Sequence, residues 1–201
     1  MTEFQQLAGE NKTEIKVKGS RFIAHATAAR DRDAAESYID HISKRFFDAT
    51  HNCFAYRIGT GDSVLTRFND DGEPSGTAGK PILQTLESLQ LTHSVVIVTR
   101  YFGGTKLGTG GLVRAYSNAA KTVLENAKIR VIQITDTVRV CYPYELSNAI
   151  QAVLANYPTI KQKAEYDVNV TTVLKIRKDF TQQFIRELKD KTAGKAFIEV
   201  I

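Results

Sequence analysis

The stretch RYFGGTKLGTGG, residues 100–111, constrains this chain more than any other: five glycines fall within nine positions, directly after the apolar run SVVIV. Glycine loses more conformational freedom on folding than any other residue, so a glycine-dense segment implies a backbone that a side chain would forbid. Three gains are open: amides converging on a phosphate, close approach to another backbone, or a tight turn. The run before it has four β-branched aliphatics in succession (Val95, Val96, Ile97, Val98), which predicts a strand covered on both faces. After it, Leu112, Val113, Tyr116, Ala120, Val123 and Leu124 recur at helical spacing, with Arg114, Asn118 and Lys121 outward. The glycines therefore join a buried strand to a helix start, where free amides and the helix dipole attract anions. Arg100, Lys106 and Arg114 surround that start. The candidate anion or nucleic-acid site is Lys80, Arg100, Gly103, Gly104, Lys106, Gly108, Gly110 and Arg114, with Gly104 and Gly110 expected at positive φ.

The named phosphate loops do not fit. A Walker A loop needs four residues between its glycines and Ser or Thr after its Lys, and Gly76, Gly79, Lys80 and Pro81 meet neither condition. A dinucleotide fingerprint starting at Gly108 needs Gly or Ala where Val113 stands. The preceding loop, NDDGEPSGTAGK, offers Asp70, Asp71 and Glu73. Three roles are open to them: a solvated acidic turn, hard ligands for a divalent cation, or internal partners. Asp71 or Glu73 is expected to bond to Arg100 or Lys106, or to cap amides of the facing loop, which places loops 70–80 and 102–111 side by side. His51 and Cys53 alternate on one strand face; a core thiol beside a hydrogen-bonded histidine is preferred over a nucleophile pair. His25, His41 and His93 lack metal-ligand spacing, so no metal, cofactor or catalytic residue is assigned. Tyr56, Phe68, Tyr101, Phe102 and Tyr116 lie near these loops in sequence, available for core packing or for base stacking.

The remaining chain reads as alternating elements. Two strands turn near Gly19; a helix capped by Asp31 carries Ala35, Tyr38, Ile39, Ile42 and Phe46 on one stripe; a hairpin follows through TGD. Pro81 suits the first turn of a helix bearing Ile82, Leu83, Leu86 and Leu89. From about Val131 the order becomes strand, helix, strand, strand, helix, strand, the split unit of ferredoxin-like domains. Domains are expected at 1–134 and 135–201. Cys53 and Cys141 read as buried reduced thiols. The N-terminal segment lacks a secretory pattern and no apolar run approaches a membrane span, so the expectation is a cytoplasmic protein with no membrane partner. A net charge of +5 is compatible with a nucleic-acid partner without requiring one.

GKPILQTLESLQLTHSVVIVTRYFGGTKLGTGGLVRAY, preceded by DDGEPSGTA and by KGSRFIAHA and HNCFAYRIG, resembles the signature of the IMPACT family in its bacterial form, strongly from about residue 12 to 125. The resemblance implies an α+β protein. Its N-terminal domain would be an α/β domain like the second domain of ribosomal protein S5, a sheet with helices on one side. A C-terminal ferredoxin-like α/β sandwich, similar to the last domain of a translocating elongation factor, would follow. Eukaryotic relatives carry an additional RWD domain and regulate translation through the activator of a general-control kinase; this sequence opens on the shared core, which is what carries over. The functional expectation is a non-enzymatic RNA- or ribosome-associated regulator of translation. The alternatives are an enzyme on a phosphorylated small molecule, with Asp71 and Glu73 as metal ligands or acid/base groups, and an adaptor binding protein through the C-terminal sheet.

Overall fold

Each face of the run at residues 94–101 has its own core, and this decides the layering of the first domain. The computed structural model describes residues 2–201, side chains at 161 and 162 excepted. One compact unit is Phe4–Ile132; the other is Gln133–Ile201 together with Thr2 and Glu3.

In chain order, from Glu3 to Gln133, the strands and α-helices are β1 (Glu3–Leu7), β2 (Asn11–Val17), β3 (Ser20–Ala28), α1 (Arg32–Arg45), β4 (His51–Ile58), β5 (Leu65–Asn69), α2 (Gly79–Ser88), β6 (Ser94–Tyr101), α3 (Thr109–Glu125) and β7 (Ile129–Gln133), all in the first unit but for the end residues Glu3 and Gln133. Five strands form one sheet in the order β2-β3-β6-β4-β5, each neighbouring pair antiparallel, while β1 and β7 make a separate ribbon. Val96 and Val98 of β6 pack with Ile82 and Leu86 of α2 and with Leu112, Tyr116 and Ala119 of α3. Val95 and Ile97 point the other way, into a core with Ala35, Ile39 and Ile42 of α1. Helices therefore cover both faces, not one as the family resemblance implies. The physical reason lies in β6 itself, because apolar residues at four successive positions, Val95 to Val98, leave neither side able to face water.

Helix starts follow local chemistry. Asp31 caps α1 by accepting the Ala34 amide at 2.8 Å. α2 has no cap from its adjoining residue; the cap comes from nine residues away. Asp70 accepts the amides of Ala78 at 3.0 Å and Gly79 at 2.8 Å through Oδ1, and that of Gly76 at 2.8 Å through Oδ2. A carboxylate at that end also suits the helix dipole. The loop between β5 and α2 is thereby wound tightly around one side chain.

The second unit runs β8 (Thr135–Tyr142), α4 (Ser147–Leu154), β9 (Thr159–Tyr166), β10 (Val170–Arg177), α5 (Thr181–Lys191) and β11 (Phe197–Val200), with sheet order β11-β8-β10-β9. This is the ferredoxin-like arrangement. Val138, Val140, Leu174 and Ile176 meet Ile150 and Val153 of α4 and Phe184 and Leu188 of α5. Cys141 alternates away from that core and is only partly buried, a departure from the expected buried thiol. On its own side of the sheet Arg139 bonds to Glu199 at 3.0 Å and Lys163 pairs with Glu165. Among the described residues no helix is long and apolar enough to cross a membrane.

Candidate functional site

At the end of the five-stranded sheet, β4 begins beside the last turn of β6, with His51 directly opposite Arg100 in the antiparallel register. The loop from β5 to α2 and the loop from β6 to α3 face each other there across a cleft of about 380 Å³. Its lining includes the buried Arg100 and Glu73 together with Thr50, His51, Phe102, Lys106, Gly108 and Thr109.

Arg100 and Glu73 are an ion pair taken almost entirely out of water, with side chains 6% and 3% exposed and Nη1 donating to Glu73 Oε1 at 2.6 Å. The same Oε1 accepts the Tyr116 hydroxyl at 2.8 Å. Burial pushes that hydroxyl's pKa upward, so it keeps its proton and serves as a donor. Arg100 Nη2 donates to Ser20 Oγ at 3.3 Å, and its guanidinium lies 5.5 Å from the Phe22 ring centre and 5.6 Å from that of Phe102. Its Nε is buried and has no partner among the described residues. The expected link between the acidic loop and Arg100 is thus made by Glu73. Asp71 goes elsewhere: its Oδ2 accepts the Asn52 amide at 2.6 Å, and its carbonyl oxygen sits 2.6 Å from His51 Nδ1.

Cys53 lies behind this pair, fully buried, its thiol donating to the Asp70 carbonyl at 3.0 Å with Tyr116 Oη 3.4 Å from the sulfur. Desolvation pushes its pKa up, which keeps it a thiol and not a nucleophile.

The glycines divide among the three roles. Gly103 is a close approach: a Cβ there would lie 1.9 Å from the Gly19 carbonyl carbon, in the turn between β2 and β3. Gly104 and Gly108 are conformational, with φ of 83° and 71°, and Gly108 is the residue at which α3 begins. The positive φ expected at Gly110 is not found, because Gly110 sits inside the first turn of α3 where ordinary helical angles suffice. Among the described residues no side chain caps α3. Its first intrahelical bond is Leu112 N–H to the Gly108 carbonyl at 2.9 Å, which leaves the amides of Thr109, Gly110 and Gly111 ahead of the ladder.

Of the remaining sequence candidates, Lys106 lines the cleft, whereas Arg114 borders other grooves along α3 and Lys80 is exposed on the first turn of α2, outside the cleft lining. Of the cleft residues, Thr109, which opens α3, was not named from the sequence. His51 is the hydrogen-bonded histidine expected beside a core thiol, and it also lines the cleft; Phe102, one of the aromatics left open to packing or stacking, is 48% exposed there. Tyr56 and Tyr116 are fully buried, which removes them as stacking platforms. Among the described residues no three His, Cys, Asp or Glu side chains cluster as metal ligands would.

Fold and cleft together define a two-domain α+β protein: a helix-covered antiparallel sheet, with its cleft at one end, and a ferredoxin-like sandwich. Residues 18–124 match the Impact N-terminal domain, and residues 142–195 match a domain of unknown function (DUF1949). The chain belongs to the IMPACT family. It is 35% identical over 192 residues to IMPACT family member YvyE of Bacillus subtilis, covering 96% of this chain and 87% of that protein. With IMPACT family member YigZ of Escherichia coli it shares 32% over 181 residues, 89% and 88% of the two chains. Similarity to Protein IMPACT-B of Xenopus tropicalis, 32% over 120 residues, takes in 58% of this chain and 36% of that one. A solved structure described as that of a hypothetical protein aligns along 100% of this chain and 98% of its own, with TM-score 0.72 and 28% identity.

Proposed function

We propose that this protein is a non-enzymatic binder of single-stranded RNA acting in translation, and that the cleft holds one nucleotide. The observation that carries the reading is that an uncapped helix N-terminus, a lysine and an exposed aromatic ring open into one cavity. Amides of Thr109, Gly110 and Gly111 with Lys106 would receive a phosphate. Phe102 would stack a base, its ring braced by Arg100 at 5.6 Å. The buried Arg100 Nε without a partner adds an unused donor among the residues that line the cleft.

The enzymatic alternative has less support. Asp71 is engaged with Asn52 and His51, and Glu73 is anchored through Oε1 to Arg100 and Tyr116, which leaves Oε2 alone without a hydrogen bond among the described residues. The open side of the C-terminal sheet, which the adaptor alternative would use, carries paired charges beside the exposed Phe197.

Anisotropy titration of a labelled single-stranded oligoribonucleotide at several salt concentrations tests the reading. Affinity is expected to fall with salt, and Lys106→Ala to lower the log–log slope by about 0.7 for one lost phosphate contact. Phe102→Ala should instead weaken binding by about 1–3 kcal/mol with the slope unchanged. RNA binding no stronger than that of a neutral protein of this size would end the proposal.

A further inference from the structure

We propose that His51 and Glu73 form a hydroxyl-accepting pair that makes the cleft selective for ribose over deoxyribose, an inference that rests on the RNA-binding reading above. The argument begins with the histidine tautomer. His51 Nδ1 lies 2.6 Å from the Asp71 carbonyl oxygen, and a carbonyl can only accept. Nδ1 therefore carries the hydrogen, and in the neutral ring Nε2 is left with its lone pair. The carbonyl is itself held in place: Asp71 has a φ of 45°, its amide donates to Asn69 Oδ1 at 2.6 Å, and its carboxylate accepts the Asn52 amide at 2.6 Å. The ring orientation is thus imposed from behind.

Facing Nε2 is the other oxygen of Glu73. Oε1 is saturated by Arg100 and Tyr116, whereas Oε2 has no hydrogen bond among the described residues and lies 3.9 Å from His51 Nε2. That separation is too long for a direct bond. With the ring neutral, two acceptors thus confront each other among the residues that line the cleft, one belonging to a carboxylate whose side chain is only 3% exposed. Both acceptors open to the cleft, and a ligand that displaces water from it without supplying a donor leaves them unpaired at a cost. Gly108 and Thr109, where the phosphate would lie, border the same cleft. The ligand group that follows a phosphate and carries a donor is the ribose 2′-hydroxyl. The hydroxyl hydrogen goes to one of the two acceptors, whereas a deoxyribose offers only C–H and reaches neither, which is how a protein distinguishes the two nucleic acids at one site.

The test uses the full chain with labelled octamers of uridine and of deoxyuridine, identical except for the 2′-hydroxyl. The wild-type protein should bind the ribo-octamer roughly tenfold more tightly, the value of one hydrogen bond to a charged or buried acceptor. His51→Phe keeps an aromatic ring and removes Nε2, and should bring the ratio near one while thermal melting verifies the fold. Equal wild-type affinities would overturn the hydroxyl proposal and leave RNA binding standing, and this outcome needs no variant. A ratio unchanged in His51→Phe would also overturn it. Absence of salt-sensitive binding to either octamer would instead remove the reading on which it rests.

Discussion

Glu73→Gln destabilises the N-terminal domain by about 3–5 kcal/mol in equilibrium urea unfolding, because it leaves a buried guanidinium without its counter-charge. Arg100 is 5% exposed as a residue and Glu73 7%, and nothing else ionised bonds to that guanidinium among the described residues. Arg100→Gln should be comparably harmful, since it strands the carboxylate beside the Tyr116 hydroxyl. The double variant is expected to lose much less than the sum, with a coupling of about 1–3 kcal/mol. The pair need not stabilise the fold relative to an apolar replacement; removing one member is what costs. Strict additivity across the four proteins would show that the two side chains do not act as a unit.

The second large effect separates adjacent glycines. Gly103→Ala should cost about 3 kcal/mol, the upper part of the range for overpacking. Its new Cβ would meet Gly19 C at 1.9 Å, Gly19 O at 2.2 Å and Ser20 N at 2.2 Å, all backbone atoms that no rotamer change can move aside. Gly104→Ala meets open space and pays only for a φ of 83°, about 1–2 kcal/mol. Urea midpoints of the two variants give the comparison directly, and a Gly103→Ala protein no less stable than Gly104→Ala would contradict the close-approach role.

What the sequence made legible follows from which physical signals are local. The stripe from Ala35 to Phe46, the Asp31 cap and the continuous apolar run at 95–98 are read within a few residues, and each describes its element correctly. The same run already required cover on both faces, and the structure sides with it against the one-sided arrangement carried over from resemblance. The ferredoxin-like order in the second unit was legible because strand–helix–strand–strand–helix–strand in a short span leaves few alternatives. The cleft was legible only in part. Glu73 and Arg100 were paired on charge and loop proximity, but His51 enters through its cross-strand register with Arg100, and register is a long-range property. Asp70 was seen as a loop acid; its role as the cap of a helix nine residues on depends on how the intervening turn closes. Gly110 and Arg114 were placed by proximity in sequence to the glycines, whereas a helix carries successive residues to different sides and takes Arg114 out of the cleft.

The most direct test of the central claim, that RNA binds in this cleft, is a chemical-shift titration of the isotopically labelled protein with a short single-stranded oligoribonucleotide at low salt. The account predicts that the largest amide shifts fall on Phe102, Lys106 and Gly108–Leu112, with the His51 ring signals moving in the same titration. Shifts confined to the C-terminal sheet or to the exposed face of α3 would contradict it, and the glycines would then be structural alone.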